Sequence, residues 1–430
     1  MIIAGLDIGN GYVKALLKNP DLDEKTKAVT IPSIYGTMPI TTIDRLDIND
    51  DMAKENFMNH IYNDMIVSFD SNLFTSKMLN EDQFLIGERV IGVSPECFEF
   101  QLNTTSRTKS EDDISPVLIL SILAAKAIED YYKKNEHLPK EDETISEEAS
   151  VAMSVPIYEY KVKRDSIVSK YLNSTHVVRV HNFEGHIIRV AIKFKSVSVV
   201  AEGAAAQFAI HKKGVPFVDA LLKNLRKRGQ KIDEAIDGNV VLKKAHGCLG
   251  IDIGDGTVNY PVYVQNQYQS DSSDSVRDGY GSVLDGVIQL IKSQPDNYSE
   301  LRSLNSRKAL AEWMDRHKDN IFKKRIYDKV LTLIKNKTEI FAKNVANHYD
   351  ELMGRIGKDI DVVYVYGGGA TGVNHLMEEA LYNRLIALEE KNESSRCILY
   401  MDAEYSRFLN RDGLYYIAAG SIQNADALVD

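Results

Sequence analysis

The sequence predicts an α/β protein made of two similar domains. Three observations carry that reading. The first is a repeat: LDIGNGYVK at Leu6–Lys14 and IDIGDGTVN at Ile251–Asn259 each end an apolar run and lead into a second, alternating one. Their aspartates, Asp7 and Asp252, stand 245 positions apart, a period far too long for a solenoid and suited to paired domains. The second is a strand–glycine–helix pattern, DVVYVYGGGATGVNHLMEEALYNRL, from Asp361 to Leu385. The third is length: 430 residues give two domains ample chain for their cores.

Each element can be justified in order. The first strand reads as buried, yet it ends on Asp7. Asn10-Gly11 is a strong hairpin-turn signal. A plain hairpin accounts for the turn, but not for a carboxylate at the end of a buried strand. The stretch from Thr41 to Asp64 is rich in Asp and Asn and reads as a surface subdomain or loop. From Pro116 to Asn135 the apolar spacing and the proline start predict a helix lying on the sheet. The acidic run His137–Ser150 reads as a solvated loop. Next, VVAEGAAAQFAI predicts a helix headed by Glu202. His211 to Cys248 reads as an insertion or extended surface element. Within it Lys212–Lys244 carries nine basic and four acidic residues, fitting either a solvated helix face or a contact surface. Leu310 to His348 reads as a pair of charged amphipathic helices. Asp361 to Tyr366 reads as a buried strand, Gly367, Gly368 and Gly369 as its bend, and Asn374 onward as a helix.

Composition narrows the function classes. Apolar residues make up 44% and charged residues 27%, as in ordinary globular proteins. A net charge of −10 argues against general nucleic-acid or membrane binding, so neither is expected as a direct partner. Cys97, Cys248 and Cys397 are odd in number and far apart, which implies neither a disulfide framework nor a zinc site. The longest apolar stretch, VLILSILAA, is far below the roughly 18 residues of a membrane span. Asp7 interrupts the segment where a secretory signal would need an apolar core. A reduced, cytoplasmic setting fits. His181, His186 and His211 lack metal-ligand spacing and read as packing residues. Asp70 reads as a loop or cap acid, with a place near the functional site as the alternative.

The glycine turns have a chemical reading. Glycines in a tight turn let successive backbone N–H groups point into one concavity, which binds phosphate. A strand follows each turn where the Walker loop and the dinucleotide fingerprint have a helix, and neither turn reads GxxxxGK[ST] or GxGxxG. An acid at the strand end can hold Mg²⁺, usually through water. Two such turns facing each other would clasp one polyphosphate and its metal. The third glycine cluster fits a flat ring lying against backbone, or a tight strand–helix connection.

Together these motifs resemble the actin-like ATPase superfamily, which includes actin, the heat-shock chaperone ATPase domain and the sugar kinases. The "D-x-G-N-G-x-x-K" form of the first turn and Ser154-Val155-Pro156 are most similar to the plasmid-segregation actins, the ParM/StbA-like group. The resemblance implies two actin-like (ribonuclease H-like) domains with a nucleotide cleft between them: residues 1–200 with 398–430, and residues 201–397. It implies that Asp7 and Asp252 hold Mg²⁺ and are catalytic together with Glu202, the water-positioning acid of the first connecting helix. It implies nucleotide contacts from Gly9, Asn10, Gly11, Tyr12 and Lys14, from Gly254, Asp255, Gly256 and Thr257, and from Gly367, Gly368 and Gly369. Asp255 stands where many relatives have glycine, serine or threonine, and Asn259 takes the position of an actin histidine. The closing DAEYSRFLNRDGLYYIAAG resembles the second connecting helix, with Arg411, Gly413, Ala418, Ala419 and Gly420. The implied function is a nucleotidase that polymerises with ATP or GTP and Mg²⁺ and moves plasmid or other extrachromosomal DNA through a DNA-binding adaptor protein. A small-molecule kinase of the same fold and a non-polymerising nucleotide-gated adaptor are the alternatives.

Overall fold

The computed structural model describes residues 1–39, 43–91, 93–100, 108–301, 304 and 306–426. The chain divides into two compact units, Met1–Ala209 with Asn410–Asp430, and Ile210–Leu409.

The strands of unit 1 are β1 (Ile2–Ile8), β2 (Tyr12–Lys18), β3 (Lys27–Pro32), β4 (Ile34–Thr37), β5 (Met65–Asp70), β6 (Phe84–Ile86), β7 (Cys97–Glu99), β8 (Thr144–Val155), β9 (Thr175–Phe183) and β10 (His186–Ala201). Among the described residues they form one ten-stranded sheet in the order β3-β2-β1-β8-β10-β9-β5-β6-β4-β7. β1 is apolar on both faces and buried apart from Asp7, as a central strand covered on both sides must be. It pairs antiparallel with β2 and parallel with β8, and β8 pairs parallel with β10. The helices are α1 (Asp51–His60), α2 (Met78–Glu81), α3 (Ile114–Asn135) and α4 (Ile157–Leu172), and α5 (Ala204–Lys227) begins in this unit. α3 is buried all round from Pro116 to Asp130, so it is a core helix with no solvent stripe over that span.

Unit 2 holds β11 (Gly247–Ile253), β12 (Val258–Tyr260), β13 (Val262–Val264), β14 (Gln267–Tyr268), β15 (Asp274–Val276), β16 (Val362–Tyr366) and β17 (Cys397–Tyr400). β12 and β13 are one strand split at Pro261, which cannot donate to a ladder; both halves pair antiparallel with β11. β11 pairs parallel with β16, and β16 with β17. The centre of unit 2 therefore repeats the centre of unit 1: a hairpin strand, the aspartate strand, then two parallel neighbours. The helices are α6 (Gly281–Ser293), α7 (Arg307–His317), α8 (Lys324–Ile356), α9 (Leu376–Lys391) and the single turn α10 (Ala403–Ser406). α6, α7 and α8 close a core around Val287, Ile291, Leu310, Met314, Val330 and Ile334. The last helix, α11 (Leu409–Asp426), returns to unit 1 and packs Leu414 and Ala418 with Ile3, Ala152 and Ala205.

Two expectations need correction and two gain detail. The acidic run is a loop only up to Glu143. From Thr144 it is β8, where Ile145 and Ala149 face inward and Glu148 lies opposite Lys193 of β10. The stretch after Thr41 contains α1, capped by the Asp50 carboxylate accepting from Met52 N–H at 2.9 Å; Thr41 and Thr42 lie outside the described residues. His211–Cys248 is largely helical: α5 continues through a kink at Gly214 (φ 75°) ahead of Pro216 and ends at Lys227. Finally, α9 starts at Leu376, because Asn374 and His375 adopt left-handed conformations that a helix start cannot use.

Candidate functional site

In unit 1 the first glycine turn closes on its own backbone. Gly9 N–H donates to the Tyr12 carbonyl at 3.0 Å, and a Cβ at Gly9 would stand 2.8 Å from that oxygen. Ser33, directly after β3, braces the turn: its hydroxyl donates to the Gly9 carbonyl at 2.6 Å and its N–H to the Gly11 carbonyl at 3.0 Å. Asp7 and Lys14 are cross-strand partners, with Lys14 Nζ 3.3 Å from Asp7 Oδ2. Tyr12 is exposed and Asn10 partly so. A Cβ at Gly11 would meet nothing within 4 Å, so the protein itself does not require glycine there.

Glu202 follows β10, two residues before α5 begins, and its N–H donates to the Val155 carbonyl at 2.7 Å. Its carboxylate is held by Lys109, whose Nζ lies 2.6 Å from Glu202 Oε1 and also donates to the Ile8 carbonyl, at the end of the aspartate strand. The structure thus brings Glu202 to the strand end that carries Asp7. Lys109 was not singled out from sequence. It lies 93 positions from Glu202 in an ordinary polar stretch, and no local signal marks it.

Unit 2 repeats the turn. Gly254 N–H donates to the Thr257 carbonyl at 2.8 Å, as Gly9 does to Tyr12. Asp252 is buried, and its cross-strand partner is Asn259, in the place Lys14 holds opposite Asp7. Asn259 is fixed by Ser275, whose hydroxyl donates to its Oδ1 at 2.7 Å, and its own Nδ2 donates to Thr257 Oγ1 at 3.3 Å. Asp255 pairs with Arg307, which also grips Asp285 through Nε at 2.8 Å. Partial burial holds the Asp255 carboxyl above the ordinary carboxylate range, with Arg307 pulling it down and Asp285 pushing it up. Gly256, next in this turn, is half-buried.

The third glycine cluster stands against the second. Asp252 lies opposite Tyr366 in the parallel register, and Gly369 N–H donates to the Ile253 carbonyl at 2.8 Å. Gly367 has φ 103°, and a Cβ there would come within 2.5 Å of Asp252 Oδ1. Gly368, by contrast, is exposed with open space around it. Tyr280, at the start of α6, donates its N–H to the Gly254 carbonyl at 3.0 Å and packs under Gly369. Unit 2 therefore places a phosphate-type turn, a buried carboxylate and an open glycine shelf side by side.

Among the described residues no group of three or more His, Cys, Asp or Glu side chains could hold a metal ion. Asp7 and Asp252 instead stand singly at strand ends. That donor set suits Mg²⁺, which keeps several waters and takes further ligands from substrate phosphates. Among the described residues no helix is long and apolar enough to cross a membrane.

Comparison with known proteins agrees with this geometry. Residues 5–204 match a family model described as the N-terminal domain of actin-like proteins, and residues 250–379 match the C-terminal model of the archaeal actin homologue MreB-like. No curated protein matches the chain by sequence. Similar solved structures include Bacillus thuringiensis ParM with ADP, at TM-score 0.59 and 12% identity, covering 98% of this chain and 99% of that one. The pCBH ParM non-polymerisable quadruple mutant gives TM-score 0.56 and 17% identity, with 97% and 98% covered. The archaeal actin homologue Ta0583 gives 0.54 and 12%, with 97% and 99% covered. At these identities the structures establish a shared fold. With one actin-homologue model matched in each unit, in chain order and on the repeated strand–turn–strand core, the chain belongs to the actin-like proteins.

Proposed function

We propose that the chain is an ATP- or GTP-hydrolysing, filament-forming actin-like protein, and that both glycine turns serve one nucleotide. The observation that carries this reading is the recurrence of one device in both units. An aspartate ends the central strand, and two residues later a glycine N–H closes the turn on the carbonyl three positions ahead. The open glycines Gly11 and Gly368 add to it, since each leaves room where a ligand can approach backbone.

In this reading the amides of Gly9–Gly11 and Gly254–Gly256, apart from the Gly9 and Gly254 N–H groups that close the turns, give fixed dipoles toward the phosphates, and Lys14 adds a point charge. Asp7 and Asp252 hold Mg²⁺, which supplies neutralisation of the charge that develops on the phosphates. Glu202 orients the attacking water. The Gly367–Gly369 shelf takes the nucleoside. Solved ParM structures carry ADP, AMPPNP and ATP, and one is a non-polymerisable mutant, which supports nucleotide binding and self-association as the properties to test. Segregation of plasmid or other extrachromosomal DNA through an adaptor protein is the cellular role we assign to the filament.

The test is phosphate release and sedimentation of the full chain with Mg-ATP, Mg-GTP or no nucleotide, with electron microscopy of the pellet. Nucleotide-dependent pelleting of filaments and steady phosphate release are expected, with release abolished in Asp252→Ala. Binding without pelleting under any nucleotide would overturn the filament. Wild-type release by Asp252→Ala would remove that acid from the chemistry.

A further inference from the structure

We infer that Lys109 is a positioning residue for hydrolysis, holding the Glu202 carboxylate at the end of the first phosphate strand. This rests on the reading of Glu202 as the residue that orients water. The Lys109 ammonium is shared between Glu202 Oε1, at 2.6 Å, and the backbone carbonyl of Ile8, immediately before Gly9. It therefore ties the proposed water-orienting acid to the proposed phosphate turn through one rigid group.

Several features separate this contact from an ordinary surface ion pair. Exposed pairs contribute little because long side chains wander. Here the Lys109 and Glu202 side chains are only 11% and 13% exposed. The lysine backbone is fixed by a fully buried carboxylate: Glu159, in the first turn of α4, accepts from Lys109 N–H at 2.9 Å and from Ser110 N–H at 2.8 Å through its two oxygens. Next to it, Lys163 Nζ donates to Thr108 Oγ1 at 2.8 Å and ties that residue to α4. The ammonium also lies over the Phe100 ring, 5.3 Å from its centroid. Backbone and head group are both held, so the Glu202 oxygen is aimed by structure formed elsewhere in unit 1. An acid that orients water must be held to a fraction of an ångström, and a displacement near 1 Å can cost on the order of 10²-fold in rate.

The experiment is a double-mutant cycle on the full chain with Mg-ATP, using Lys109→Met and Glu202→Ala, singly and together. Lys109→Met is expected to lower kcat about 10-fold or more with KM unchanged. Lys109→Arg, which keeps the charge, should recover part of the loss. In the Glu202→Ala background, Lys109→Met should cause no further loss, because the carboxylate it positions is gone. A merely structural tie would lower Tm and raise KM without a selective fall in kcat. Should Lys109→Met not fold, Lys109→Gln, which is uncharged and one bond too short to reach the same place, takes its place with the same expectations. Slow Glu202→Ala beside wild-type kcat in the lysine variant overturns the role of Lys109 alone. An equal loss in both backgrounds also overturns it, since Lys109 would then act independently of Glu202. Normal turnover by Glu202→Ala overturns the underlying reading of Glu202 instead.

Discussion

Gly367 sits at φ 103° with its α-hydrogen side turned into the Ile253–Asp252 backbone and carboxylate. An L-residue there is strained by conformation alone, at about 1–3 kcal/mol, and its Cβ would push on Asp252 Oδ1 as well. Gly367→Ala is therefore expected to lower both Tm and nucleotide affinity. Gly368 lacks either constraint, so Gly368→Ala should leave Tm within about 1 °C of wild type while weakening nucleotide binding, because only a ligand would meet the new methyl. Thermal melts with and without nucleotide check the pair. Unchanged affinity in Gly368→Ala would take the nucleoside off that shelf. In sequence the three glycines look alike. The distinction between glycines the fold needs and glycines the ligand needs comes from neighbours far along the chain. Asn259 teaches the same point: the resemblance gives it the position of an actin histidine, and only the register shows that it is also the counterpart of Lys14.

At the scale of elements, α11 returns to unit 1 by close backbone approach. A Cβ at Gly413 would come within 2.5 Å of the Ala205 carbonyl carbon, and one at Gly5 within 2.5 Å of Tyr415 Cα. Gly413→Ala must separate α5 from α11 and should cost about 1–3 kcal/mol, as overpacking generally does. Gly420, in the same helix, has open space around it, so Gly420→Ala should instead stabilise by about 0.5–1 kcal/mol through helix propensity. Opposite signs in chemical denaturation of the two variants are the expected outcome; equal signs would mean that α11 is not seated on α5 this way. The elements legible in sequence are those whose pattern is local. β1, β11 and β16 are near-continuous apolar runs because they lie between covered faces, and α3 is mostly apolar from Val117 to Ala125 because it is buried all round there. What escaped depends on partners distant in sequence. The acidic part of β8 is a strand because β10 pairs with it. Arg226 and Arg228, which read as part of a basic surface, are engaged within unit 2: Arg226 donates to the Asp233 and Ile236 carbonyls at 2.7 Å, and Arg228 pairs with Glu378 at 2.6 Å and Asp402 at 2.8 Å. Lys109 joins Glu202 only through the tertiary fold.

At the scale of the whole molecule, the proposed cycle couples chemistry to assembly. A head-to-tail contact between identical subunits does not close on itself and so extends into a filament. Nucleotide can govern that contact only if the triphosphate and diphosphate states differ in their affinity for the next subunit. Glu202 is where the two halves of the coupling can be separated. The residue stands next to Gly203, whose φ is 81°, just before the start of α5, so a pure helix-capping role is the competing account. Loss of a cap costs about 1 kcal/mol of stability and leaves hydrolysis near normal. Loss of water orientation leaves nucleotide binding and assembly intact and slows phosphate release by roughly 10²-fold or more. Filaments of Glu202→Ala should then form with Mg-ATP at the wild-type critical concentration and outlast wild-type filaments, because the change of state that loosens the contact is delayed. Phosphate release and light scattering followed on the same preparation after dilution distinguish the accounts. Slow release with prompt disassembly would uncouple hydrolysis from filament lifetime, and normal release with a lowered Tm would return Glu202 to the helix cap.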